Sequence, residues 1–136
     1  MRCLVVSLWL FAILGGSGVA RADCPMDLGH GTGWVVFSEH YMIAFRPDPM
    51  TIEVGEPVSL IMNVCTKSGE AAELVKVGAE RLDAKMPSQH LKVTGGADGR
   101  YRVDGLSFLA PGRWEIEFDV RSAEGSEELT HEIVVK

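Results

Sequence analysis

No Cys-x-x-Cys pair, no Gly-x-Ser-x-Gly elbow and no His-Glu-x-x-His helix occurs in the 136 residues. The usual sequence marks of thiol redox chemistry, serine hydrolysis and zinc proteolysis are therefore missing. Basic residues are scarce: 13 Lys and Arg stand against 19 Asp and Glu, a formal net charge of −6. That balance argues against nucleic acid and anionic lipid as partners. Long apolar runs are absent as well, since the one at residues 4–14 is too short to span a bilayer comfortably. Nor do the carboxylates form an acid–base pair. Glu127 and Glu128 fall in a turn, and Glu115, Glu117 and Asp119 take the solvent phase of a strand, where charge ordinarily only solubilises. Cys65 lies in an apolar stretch without the basic neighbours that make a thiol reactive. The chain is read as non-catalytic.

What the chain does have begins at its first residues. Arg2, the apolar run and then Ala20-Arg21-Ala22 lay out a secretory signal with a small-residue cleavage site, so residues 1–22 are expected to be removed and the mature protein to begin at Asp23. A lipid anchor on Cys24 would require a small neutral residue before it, and Asp23 is neither. The expected product is exported, periplasmic or secreted, with no membrane span after cleavage. Without Arg2 and Arg21 it carries 11 basic and 19 acidic residues, and its 114 residues suit one compact domain. Cys3 leaves with the signal. Cys24 and Cys65 remain, and an oxidising compartment permits a bridge between them worth roughly 3 to 4 kcal/mol; two free thiols are the alternative.

Residues 23–40, rich in glycine, read as a flexible leader, and residues 41–136 as the domain. The run Gly29-His30-Gly31-Thr32-Gly33 lacks the preceding strand and following helix of a phosphate loop. Past Tyr41 apolar residues alternate with polar ones, most clearly in Trp114-Glu115-Ile116-Glu117-Phe118-Asp119-Val120. Further inward rows are Val58, Leu60, Met62 and Val64; Tyr41, Ile43 and Phe45; Tyr101 and Val103; and Leu129, Ile133 and Val135. Turns at residues 67–70, 95–99, 111–112 and 124–126 separate them. Short strands at this spacing predict an all-β antiparallel sandwich of about seven strands. Residues 70–85 remain ambiguous: Leu74, Val77, Gly78 and Leu82 nearly fit a helical stripe, while Val75, Val77 and Ala79 alternate and Gly78 weakens a helix.

Three ordered blocks resemble a known family. Asp83-Ala84-Lys85-Met86-Pro87-Ser88-Gln89-His90, then residues 98–106 reading Asp-Gly-Arg-Tyr-Arg-Val-Asp-Gly-Leu, then Gly112-Arg113-Trp114-Glu115-Ile116 resemble the YtkA-like domain, close to the FixH-like proteins. The likeness reaches from about Tyr41 to Val120. It implies an immunoglobulin-like β-sandwich exported to the cell envelope, and it makes residues 70–85 a strand running into the Met-Pro turn. FixH-like relatives are linked with copper delivery to respiratory oxidases, so the likeness also implies a copper-handling accessory. The family often carries Met-Pro-x-His-Gly-His, whereas here Leu91 and Lys92 follow His90.

Donor chemistry gives the copper reading its residues. Thioether and imidazole groups suit Cu(I). Met86 and His90 flank the Pro87 turn four positions apart, and Met26 and His30 repeat the spacing beside Cys24; His40, Met42 and Met50 are further donors. The plainer readings are a packed turn residue for Met86, core filling for Met62, a half-buried structural histidine for His131, a core anchor for Trp114 and surface histidines elsewhere. Two functions follow, from different classes. One is a copper-binding accessory using Met86, His90, Met26 and His30. The other is an envelope protein-interaction module without a metal role, meeting its protein partner through the acidic sheet face or the turn at residues 95–99.

Overall fold

A computed structural model describes Leu28 and residues 33–136. In chain order the strands are β1 (Trp34–Phe37), β2 (Tyr41–Asp48), β3 (Pro57–Thr66), β4 (Glu73–Arg81), β5 (Gln89–Leu91), β6 (Val93–Gly95), β7 (Arg100–Ser107), β8 (Gly112–Ser122) and β9 (Gly125–Val135). They form two antiparallel sheets, one in the order β1-β2-β3-β7-β6 and the other β5-β4-β8-β9. The all-β sandwich is thus present, with nine strands among the described residues in place of about seven. Part of the difference is β1, which lies inside the stretch expected to be a flexible leader. Val36 is buried and Trp34 half-buried, and the strand pairs with β2 from Trp34 opposite Phe45 to Phe37 opposite Met42. Among the described residues the first strand therefore begins at Trp34. The proposed signal segment and most of the leader, with Cys24, Met26 and His30, lie outside the described residues.

Alternation decides which side chains meet between the sheets. Trp114, Ile116, Phe118 and Val120 of β8 face Tyr41, Ile43 and Phe45 of β2 and Leu60, Met62 and Val64 of β3, all essentially sealed from solvent. Fully burying an aliphatic or aromatic side chain contributes about 1.5–3 kcal/mol each, which makes this layer the main source of stability. Trp114 is anchored twice: its Nε1 donates to the Ala110 carbonyl at 3.0 Å, and its ring meets Phe108 edge-on with centroids 5.3 Å apart. At one end Tyr41 Oη reaches the Ser122 hydroxyl at 2.7 Å and the Gly125 carbonyl, tying β2 to the β8–β9 turn. The anchor and core-filler readings of Trp114 and Met62 agree with these positions.

Residues 70–85 supply a strand. Leu74, Val77 and Ala79 are buried, and the register against β8 slips between Leu74 and Lys76, leaving Val75 47% exposed. A β-bulge places the extra residue there. It converts a two-residue period into a local three-residue step, which is why this segment imitates a helical stripe. Among the described residues no helix is long and apolar enough to cross a membrane.

Candidate functional site

The outer face of the second sheet concentrates negative charge in three cross-strand rows. Glu80 of β4, Glu115 of β8 and Glu132 of β9 stand side by side; Gly78, Glu117 and Thr130 form the next row; Lys76, Asp119 and Glu128 form the third. Glu115, Glu117 and Asp119 are half-buried by their neighbours, although they occupy the solvent phase. Glu132 is engaged by Arg113, with Nε to Oε1 at 2.6 Å and Nη2 to Oε2 at 3.0 Å. Among the described residues Glu80, Glu115, Glu117 and Glu128 enter no ion pair. Burial pushes the Glu117 carboxyl above its usual range, and the charges of Glu128, Glu80, Glu115 and Asp119 push it further. The fold therefore holds like charges closer together than they would choose.

The copper candidates do not converge. Met86 packs partly against the core, and its sulfur accepts from Arg81 Nη1 at 3.8 Å. Arg81 is itself fixed by Asp83, whose Oδ1 takes its Nε at 2.6 Å and whose Oδ2 takes the Arg113 backbone N–H at 3.2 Å. These two contacts, the Arg113 N–H first, hold the Asp83 carboxyl below its ordinary range. A thioether facing a guanidinium is poorly placed to take a second cation. His90 lies on the outer face, opposite Gly78, since its neighbour Leu91 packs inward opposite Val77. A Cβ added at Gly78 would stand 3.0 Å from the Gln89 carbonyl oxygen, 3.5 Å from His90 Nδ1 and 3.7 Å from Glu117 Oε2. The His90 ring thus covers a glycine in the strand, as an aromatic side chain often does. Met86 and His90 point to opposite sides of the second sheet and do not fit as a pair of copper ligands.

The other donors are dispersed or engaged. His40 Nδ1 lies 2.8 Å from Glu127 Oε2, which raises its pKa above the ordinary 6.5. Met42 is on the outer face of the first sheet opposite Cys65, and the Met50 sulfur accepts from Arg46 Nη1 at 4.0 Å. Cys65 is disulfide-bonded; its partner lies, as Cys24 does, outside the described residues. Among the described residues no three His, Cys, Asp or Glu side chains gather to hold a metal ion. An open cleft of about 680 Å³ beside the Met-Pro turn is lined by residues 80–87, with Arg81 already committed to Asp83. The three acidic rows were only half visible in the sequence: the alternation of β8 was plain, but its alignment with Glu80 and Glu128 depends on strand order.

Family models, curated proteins and solved structures gave no match.

Proposed function

We propose that this chain is a non-catalytic, exported interaction module whose acidic sheet face docks a basic segment of a partner protein in the cell envelope. The observation that carries the reading is the three-row array centred on Glu117, where unpaired carboxylates are held half-buried beside one another. Solubility needs scattered charge. Packed like charge instead stores repulsion that a Lys- or Arg-rich segment would relieve on binding. Export is supported by the signal-like residues 1–22 and by a disulfide at Cys65, which suits an oxidising compartment. The resemblance to YtkA-like and FixH-like domains fits the same compartment. Its copper association has no matching donor pair at Met86 and His90.

The test is calorimetric titration of the purified protein with an Arg/Lys-rich peptide at low and at physiological salt. Saturable binding that weakens with salt and is lost in a Glu115→Gln/Glu117→Gln variant is the expected result. Removing the same charge from the loop between β2 and β3 of the other sheet, as Glu53→Gln/Glu56→Gln, should leave binding intact. Equal losses in the two variants would reduce the interaction to net charge and refute a specific face.

A further inference from the structure

His131 stands where the edges of the two sheets meet. It occupies the inward phase of β9 between Leu129 and Ile133, opposite Ile116 of β8. Its ring centroid lies 5.4 Å from that of Trp34 on β1 and 5.3 Å from that of Phe45 on β2, and the latter two are 5.3 Å apart. Phe118 continues the stack 5.0 Å beyond Phe45. Strand β1 has only four residues and, among the described residues, a ladder on one side alone, with β2. Toward β9 it is held by side-chain packing, including the Trp34–His131 ring contact.

The charges around this ring are as informative as its contacts. From β1 the inward residues are Trp34 and Val36, from β2 Ile43 and Phe45, and from β8 Trp114, Ile116 and Phe118; none ionises near neutral pH. On β9 the nearest ionisable group of the same phase is Glu127, four positions away and engaged by His40. Glu132 and the acidic rows are on the opposite face. Burial alone acts on the imidazole, and it holds the pKa below 6.5. The other end of β1 behaves in the opposite way. There the Glu127 contact raises the pKa of His40, which follows β1 in the turn to β2. As pH falls, His40 protonates first and tightens its contact with Glu127; His131 protonates later, with no carboxylate among the described residues to receive it.

We propose that His131 is an acid-sensitive latch on β1: its neutral ring closes Trp34 against Phe45, and its protonated ring lets the Trp34 end lift while the His40–Glu127 contact pins the other end. This device shares no residue with the acidic docking face and does not depend on it. A cation stacked on Trp34 would act in the opposite sense, strengthening the seam in acid, so the sign of the response decides between the two.

Hydrogen exchange at residues 34–37, corrected for the intrinsic pH dependence of amide exchange, reads the latch directly in the purified protein. A several-fold loss of protection on passing from neutral to mildly acidic pH is expected, with β8 unchanged. Linkage fixes its limit as the ratio of the acid constants of His131 in the closed and open states. The loss should vanish in His131→Phe, which keeps an aromatic ring and cannot titrate. Equal loss in that variant, or no loss in the unsubstituted protein, overturns the proposal. Should His131→Phe fail to fold, NMR titration of the unsubstituted protein still decides. The His131 ring and the Trp34 indole must share one midpoint below 6.5, whereas a His131 midpoint at or above it, or an indole indifferent to it, refutes the latch.

Discussion

Replacing Glu117 by Gln should stabilise the fold at neutral pH while weakening the proposed contact with a basic segment. In the folded chain the Glu117 carboxyl binds its proton more tightly than the ordinary pKa of 4.5 implies, first through burial and then through four neighbouring carboxylates. A raised acidic pKa means that the ionised form destabilises the native state. The penalty is absent below the unfolded pKa and complete above the folded one. Like charges directly opposed on a sheet cost roughly 0.2–1 kcal/mol each; the four carboxylates around Glu117 sit diagonally across from it or two positions along its own strand, so each repulsion lies toward the low end of that range. Screening at a half-exposed position keeps the recoverable total to about 0.5–1 kcal/mol. Urea denaturation at neutral pH should therefore show a higher midpoint for Glu117→Gln with an unchanged slope. The gain should shrink with added salt, whose screening length is about 8 Å at physiological ionic strength, and it should disappear near pH 4, about where a free glutamate protonates. A destabilised variant at neutral pH, or an equal gain in acid, would show that charge crowding is not what the site stores. The combination is diagnostic, because a merely structural carboxylate would lose stability on substitution and leave binding alone.

Trp114→Ala should cost about 3–5 kcal/mol in the same assay; a loss under about 1 kcal/mol would deny its role as core anchor. For His40→Ala, the sign follows from both partners. The raised His40 pKa gives stability that is complete below 6.5 and lost as pH rises through the folded value. In Glu127 burial raises the pKa, but hydrogen bonds from Ser38 and His40 outweigh it, so its contribution is complete above 4.5 and lost as pH falls through the folded value. The variant's deficit should be largest between those two ordinary values, and a deficit independent of pH would refute the pairing. Anaerobic Cu(I) titration against a chelator should show no tight equivalent that disappears on Met86→Ala plus His90→Ala. One that did would restore the copper reading at the Met-Pro turn.

The parts of the fold that could be read in advance are those with an unbroken two-residue period. Strand β8 alternates without fault, so its buried face and its acidic face were both explicit. Strand β4 does not, because the bulge at Val75 puts Leu74 and Val77 on the same side three residues apart, the spacing by which a helix is recognised. Local sequence cannot separate these alternatives, since the bulge is imposed by pairing with β8, some forty residues away in the chain. Strand β1 was hidden for a related reason. Its glycine-rich approach looks like a leader, and its ladder with β2 and the rings of Phe45 and His131 make Trp34 a packed residue.

Histidine and methionine misdirect where carboxylates do not. A donor pair is inferred from closeness in sequence, but strand residues four apart share a face only if the chain between them stays extended. The Pro87 turn breaks that condition, sending Met86 toward Arg81 and the core and His90 over Gly78. Each then has a structural reason to be where it is: a thioether that accepts from a guanidinium, and an imidazole that covers a glycine against which the Gln89 carbonyl packs. No such reason accounts for the carboxylates. Glu80, Glu115, Glu117 and Glu128 repel one another, enter no ion pair among the described residues, and pack around the one row in which Gly78 contributes no side chain. Crowded carboxylates that take part in no ion pair among the described residues are the ones to propose for binding, and here they lie together on one face.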